Sequence, residues 1–134
     1  MLARLLLALF IPAAASYACT DIELPLKQVK RGAEFVFRGT ITAQTFTDGR
    51  EVLAFHVTRV WKGPVTETFE IPVNALISGC NSPFRSRVEI GSEFVIFAER
   101  TPLPGGEYRV GSRLTENAGQ WLQELGTGRK PKSN

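Results

Sequence analysis

Hydrophobic and polar residues alternate along much of this chain, and a period of two predicts half-buried β-strands. The first predicted strand covers residues 35–42, and a second covers residues 52–61. Between them, Asp48–Gly49 supplies the positive φ angles that a tight hairpin turn requires. We therefore predict that the chain opens its sheet with a β-hairpin.

Three shorter segments predict the rest of the sheet. Residues 69–73 form a third strand, and Pro72 places it at an edge or at its own end, because proline cannot donate to a ladder. Residues 93–98 are the most apolar run of the mature chain, which predicts a strand buried on both faces. A fifth strand at residues 108–110 follows a Pro-Gly-Gly turn.

Two short helices are predicted to flank the strands. Residues 24–32 place three apolar side chains on one helical face, and Gly32 ends that helix. Residues 118–125 carry apolar side chains at positions i, i+3, i+4 and i+7, with Thr115 as the candidate cap and Gly126 as the stop.

The fold class follows from these elements and from a length of 134 residues, which allows one domain. Five short strands and flanking helices predict a mainly β domain, a small closed barrel without exposed edges. The aromatic residues fall at core spacing, so we expect packing rather than a stacking platform from Phe35, Phe37, Phe55, Phe69, Phe94, Phe97 and Trp121. Trp61, beside a turn, is also expected to pack.

Residues 1–18 have the layout of a secretory signal peptide. Arg4 precedes the apolar run 5–11, and residues 16–18 form a small-x-small cleavage site. The apolar run is too short for a bilayer of roughly 30 Å. We expect a secreted or periplasmic protein without a membrane span, which begins at Cys19.

The charge balance gives no argument for a nucleic-acid partner. The net charge is +3, or +2 once the leader with Arg4 is removed. The only basic run, residues 129–132, is interpreted as part of a flexible, solvated tail at 127–134, so that the domain covers residues 19–126. We expect a monomer.

Cys19 and Cys80 are the only cysteines. Export places them in an oxidising compartment, where a pair normally closes a disulfide. A disulfide closing a loop of about 60 residues would stabilise the folded state by roughly 4 kcal/mol in the chain-entropy model. Cleavage after Ala18 would leave the α-amine of Cys19 free while its sulfur is bound.

The usual catalytic sets are missing, so we expect no enzyme and no cofactor. His56 lies mid-strand among polar neighbours and is interpreted as a surface residue. A disulfide-pinned N-terminus can instead offer its amine and adjacent carbonyl oxygen as a five-membered chelate. Such a chelate could displace the water on the catalytic zinc of another protein. The amine must be neutral to bind, and its reference pKa of roughly 7.7–8.0 permits this.

Six segments stand in a distinctive order and spacing: Cys19–Thr20, F-V-F-R-G-T-I at 35–41, V-T-R-V-W-K-G at 57–63, Gly79–Cys80, G-S-E-F-V-I-F-A at 91–98 and Leu125–Gly126. Together they resemble the N-terminal, netrin-like domain of the tissue inhibitors of metalloproteinases, and especially its bacterial relatives. The resemblance implies a five-stranded barrel of the oligosaccharide/oligonucleotide-binding (OB) type with flanking helices.

The resemblance also implies roles for individual residues at a contact with a zinc metalloprotease. The amine and carbonyl of Cys19 would lie on the protease zinc, the side chain of Thr20 would enter the specificity pocket, and Cys80 would bridge to Cys19. The neighbours that would flank this contact ridge are Ser78, Gly79, Asn81 and Ser82. Asp21 stands where the animal inhibitors carry a second cysteine, and that cysteine's partner near residues 110–112 is also missing.

Two other functions are compatible with the sequence. The domain could be a non-inhibitory binding module that holds a protein or glycan on a polar face including Arg38 and Thr40. It could also be a lipoprotein acylated at Cys19, although Ser16 and Tyr17 match such a signal poorly.

Overall fold

The computed structural model describes residues 25–48, 50–73, 89–100, 106 and 108–134. These ranges hold five strands, two α-helices and one turn of 3₁₀ helix. In chain order they are α1 (Leu26–Gly32), β1 (Phe35–Thr47), β2 (Arg50–Lys62), β3 (Thr68–Val73), β4 (Glu93–Arg100), β5 (Tyr108–Leu114), the 3₁₀ turn (Thr115–Asn117) and α2 (Gly119–Leu125).

The strands form an antiparallel sheet in the order β3-β2-β1-β4-β5. The predicted hairpin is confirmed: Thr47 pairs with Arg50, and Asp48 adopts a φ of 52°. The two outer strands, β3 and β5, meet at one parallel pair, Val73 and Tyr108. The expectation of a mainly β domain with two helices is therefore confirmed. Its closure into a barrel depends on that single pair and belongs to the proposal below.

One face of the sheet encloses the main core. Alternate residues of each strand point inward, as the period of two predicts. Phe37 packs edge-to-face on Phe55, with ring centroids 5.1 Å apart, and Phe35 does the same on Phe69 at 5.0 Å. Buried members from all five strands are Phe35, Phe37, Ile41, Leu53, Phe55, Val57, Val60, Ile71, Phe94, Ile96, Ala98, Tyr108 and Val110.

The two helices cover the opposite face of β1 and β4. Val36, Val95 and Phe97 are buried there in a second cluster with Leu26 of α1. Trp121 of α2 meets Phe97 edge-to-face, with centroids 5.0 Å apart. Strand β4 is thus buried on both faces, as its apolar sequence predicts, and the aromatic residues pack as expected.

The start of α2 differs from the prediction that Thr115 caps it. Its N-cap residue is Ala118, and no side chain caps the helix. The carbonyl of Thr115 accepts from the amide of Ala118 at 3.2 Å, so Thr115 closes the 3₁₀ turn one turn earlier. Gly126 ends the helix with a φ of 74°, which confirms the predicted stop.

The C-terminal residues differ from the solvated tail that we expected. Arg129 and Val60 exchange two backbone hydrogen bonds of 2.9 Å, and Lys132 bridges to Thr66. The physical reason is the open edge of β2, which β3 pairs only over residues 51–56. The tail satisfies backbone groups that β3 leaves unpaired, so the packed chain continues beyond residue 126.

Candidate functional site

The residues that the sequence assigns to the protease contact lie outside the described ranges. They are Cys19, Thr20, Asp21, Ser78, Gly79, Cys80, Asn81 and Ser82. The structure does describe the points at which these two segments join the domain. Residues 1–24 lead into Pro25 and α1, whereas residues 74–88 connect the end of β3 to Glu89.

The attachment points of the segment 74–88 are both held by the sheet. Val73, the last residue of β3, is flanked by Glu51 on β2 and by Tyr108 on β5. At the return, Gly91 donates to the carbonyl of Ile41 at 2.8 Å, and the amide of Ile41 donates to Ser92 at 3.0 Å. The segment therefore leaves and re-enters the domain at fixed backbone positions.

Helix α1, which carries the other segment, is fixed at both of its ends. Leu26 is buried against the second face of the sheet. At the C-terminal end, the Nζ of Lys62 donates to the carbonyls of Lys30 and Arg31 at 2.9 and 3.1 Å. A cation there also complements the negative end of the helix dipole.

Two other residues of the V-T-R-V-W-K-G segment, Trp61 and Gly63, have structural roles. Gly63 has a φ of 89°, and a Cβ there would lie 2.7 Å from the carbonyl oxygen of Glu34. Trp61 is half-buried, packs with the helices and donates its indole N–H to the carbonyl of Gly126 at 3.0 Å. This confirms the expectation that Trp61 packs. The segment thus joins β2 to α1 and to the end of α2.

A polar cluster of Glu34, Arg100 and Tyr108 joins the start of β1 to the end of β4 and the start of β5. Arg100 donates from Nε and Nη2 to the two carboxylate oxygens of Glu34, at 2.9 and 3.2 Å. Its Nη2 also lies 2.7 Å from the hydroxyl of Tyr108, and its guanidinium lies 5.1 Å from the centre of that ring. The cluster stands beside Val73, where the segment 74–88 begins.

The cluster shifts the acidity of its members. The hydrogen bonds from Arg100 lower the pKa of the Glu34 carboxyl, and the same contact raises the pKa of Arg100. Burial, followed by the charge of Glu34, raises the pKa of the Tyr108 phenol. At neutral pH the cluster therefore holds a carboxylate, a guanidinium and a neutral phenol. No local pattern in the sequence indicates this cluster, because Glu34 and Arg100 lie 66 residues apart.

The polar face that a non-inhibitory binding module would use contains side-chain contacts between neighbouring strands. Arg38 donates from Nε to the hydroxyl of Thr58 at 3.3 Å and lies 3.8 Å from Glu93. Thr40 is half-buried, and His56 is exposed, which confirms it as a surface residue. Arg38 is therefore committed to neighbours within the sheet.

Searches for a metal site, a membrane-spanning helix and related proteins give no further indication of function. Within the described ranges, no three His, Cys, Asp or Glu side chains come together as a metal site. No helix among those residues is both long enough and apolar enough to cross a bilayer. A comparison with models of known protein families finds no match for this chain, and a comparison with curated protein sequences finds none either.

Proposed function

We propose that this chain is an exported inhibitor of zinc metalloproteases, built on a closed five-stranded barrel of the OB type. Its inhibitory group is the α-amine and carbonyl of Cys19, held by a disulfide to Cys80. Thr20 enters the specificity pocket of the protease. Asp21 and the ridge residues Ser78, Gly79, Asn81 and Ser82 contact the surrounding surface.

The observation that carries the proposal is the order of the strands. Neighbours follow the sequence β1-β2-β3-β5-β4, and the pair Val73–Tyr108 links the two strands that would otherwise be edges. A five-stranded, partly open Greek-key barrel is the OB arrangement. This order supports the fold that the resemblance implies, and fold by itself does not determine function.

Chain lengths support the proposed disulfide. The distance between Pro25 and Val73 is at most about 40 Å, the length of a path along α1 and then across the ends of β4, β5 and β3. Cys19 lies six residues before Pro25, and Cys80 lies seven residues after Val73. Extended, these two segments reach about 45 Å together. These lengths are compatible with a Cys19–Cys80 bridge and so support the proposal.

The fixed ends of α1 support the chelate mechanism. Lys62 and the burial of Leu26 hold the helix into which the N-terminal segment leads. A terminus anchored by a disulfide on one side and a fixed helix on the other loses little ordering entropy when it binds. The amine, once neutral, and the carbonyl oxygen then take the open position on the catalytic zinc.

The test compares two forms of the mature protein, one beginning at Cys19 and one with a single additional alanine before it. Both are assayed against a panel of zinc endopeptidases, with a serine protease as the control. The extension converts the amine into an amide that cannot chelate, so we expect inhibition to weaken by roughly 100-fold or more, about 2.7 kcal/mol. Their unfolding midpoints should agree.

Equal potency of the two forms would eliminate the chelate mechanism. A protein or glycan partner that binds both forms equally, without protease inhibition, would support the binding module instead. The intact mass of the exported protein decides between the disulfide and the lipoprotein: loss of two hydrogens supports the bridge, and added acyl mass excludes it.

A further inference from the structure

The docked C-terminal segment brings a basic run of the sequence onto the folded domain. Backbone hydrogen bonds join Arg129 to Val60, and Lys132 accepts from the amide of Glu67 at 2.9 Å while donating to Val65 at 3.2 Å. The side chains of residues 129, 130 and 132 project from a segment that is held in place. They are exposed.

Two other basic parts of the chain, Lys62 at the end of β2 and the C-terminal end of α1, lie beside the docked C-terminal segment. A side-chain nitrogen of Arg129 donates to the carbonyl of Gly63, the residue after Lys62. Lys62 in turn lies 2.9 Å from the carbonyl of Lys30 and 3.1 Å from that of Arg31. We call this surface the basic end; its members are Lys30, Arg31, Lys62, Arg129, Lys130 and Lys132.

The charges of the basic end are not neutralised inside the domain. Among the described residues, none of its six members forms an ion pair, whereas Arg38 pairs with Glu93 and Arg100 pairs with Glu34. Lys62 and Arg129 donate hydrogen bonds to backbone carbonyl groups. These carbonyls carry no formal charge, so the positive charges of both side chains are not neutralised. Two acids lie beside these six cations: Glu67, whose amide donates to the carbonyl of Lys132, and Glu99, whose carboxylate would lie 3.9 Å from a Cβ on Gly32. A surplus of positive charge therefore faces solvent.

The composition of the basic end favours an extended anionic surface as its partner. Its members come from three separate chain segments, so the charges spread over an area rather than along one groove. Among the described residues, the large exposed hydrophobic side chains are Phe46 and Ile90. Phe46 pairs with Glu51, which lies about 36 Å along β2 from Lys62. Ile90 precedes Gly91, whose amide donates to Ile41, and Ile41 pairs with Phe55, about 23 Å along β2 from Lys62. Trp61, beside Lys62, is half-buried against the helices. The described part of the basic end therefore offers neither an exposed aromatic platform for sugars or bases nor an apolar wedge for insertion.

We infer that the basic end docks this domain on an anionic phospholipid bilayer. Association is peripheral and electrostatic: phosphate headgroups replace the counterions of the lysines and arginines, and the protein does not insert. The hairpin tip at Asp48 then points away from the bilayer. This inference is independent of the inhibitor proposal, since it uses neither Cys19 nor the segment 74–88.

The experiment measures sedimentation of the mature chain with vesicles. Vesicles of phosphatidylcholine alone are compared with vesicles containing 30% phosphatidylglycerol, at 50 and 300 mM NaCl. We expect binding only to the anionic vesicles and a strong loss at high salt. Each basic residue near such a surface contributes about fivefold in affinity, so K130Q/K132Q should bind roughly 25-fold more weakly.

Matched variants separate surface position from net charge. K130R/K132R keeps both charges and should bind as the parent does. R50Q removes a charge at the hairpin tip, far from the basic end, and should bind within about twofold of the parent, whereas K130Q should lose about fivefold. Unfolding midpoints confirm that every variant is folded.

Three results with vesicles would overturn the inference. They are equal binding to neutral and anionic vesicles, an equal loss in R50Q and K130Q, and absence of vesicle binding at 50 mM NaCl. Retention on a column of a sulfated polysaccharide without vesicle binding would also overturn it, in favour of an anionic glycan. Vesicle binding that fails in K130Q/K132Q but survives the N-terminal alanine supports it, whatever the fate of the inhibitor proposal.

Discussion

Gly63→Ala tests the junction between β2 and the start of β1. A Cβ at this position would lie 2.6 Å from Cδ1 of Phe35 and 2.7 Å from the carbonyl oxygen of Glu34. The second contact is with backbone, so a change of rotamer cannot relieve it. The φ of 89° adds a conformational cost that any L-residue bears.

The expected magnitude is the sum of these two costs. Forcing an L-residue into the left-handed region costs about 1–2 kcal/mol. Overpacking against a core ring and a fixed carbonyl costs about 1–3 kcal/mol more. We therefore expect Gly63→Ala to lower the free energy of unfolding by about 2–5 kcal/mol, a large part of the stability of a small domain.

Gly91→Ala is the matched control. Gly91 has a φ of 94°, but a Cβ there meets no atom of the described residues within 4 Å. It should cost only the conformational part, about 1–2 kcal/mol. Urea unfolding followed by the fluorescence of Trp61 and Trp121, which both pack between helices and sheet, measures both variants. Equal destabilisation by the two substitutions would refute the assignment of a steric clash to Gly63.

Three further predictions concern contacts between distant parts of the chain. Lys62→Met keeps the aliphatic stem but removes the cation at the end of α1, so we expect a loss of about 1 kcal/mol in urea unfolding. Truncation after Gly126 removes the hydrogen bonds of the tail with β2 and should lower the free energy of unfolding by about 2 kcal/mol. Arg100→Gln should lower stability more at pH 7 than at pH 3, where only the contacts of Arg100 with Tyr108 are still lost. The pKa of Glu34 is lowered from 4.5 in the folded state, so its contribution is present above that pH and lost as the pH falls.

A specific result would contradict each of these three predictions. Lys27→Met changes an exposed lysine of α1 and should leave stability unchanged; a loss equal to that of Lys62→Met would contradict the capping role. A truncated chain as stable as the full one would show that the tail contributes nothing. For Arg100→Gln, a loss of stability that persists undiminished at pH 3 would contradict the coupling to Glu34.

Local pattern was sufficient for the strands. The period of two placed the hairpin and its Asp48 turn, and the apolar run of β4 predicted burial on both faces. These features depend on neighbours along the chain, which is why they can be predicted from sequence. The ends were less predictable: β5 extends to Leu114, and the cap expected at Thr115 became a 3₁₀ turn.

The sequence by itself therefore determined the strand pattern, the two helices, the packing of the aromatic residues and the two cysteines on which the inhibitor proposal depends. Only the tertiary structure decided that Lys62 closes α1, that Arg100 holds Glu34, and that the basic tail lies on the open edge of β2. Each of these contacts joins residues 31 or more positions apart. Their partners are chosen by which strands pair and by which backbone groups the sheet leaves unpaired, and no local pattern of hydrophobic and polar residues encodes either.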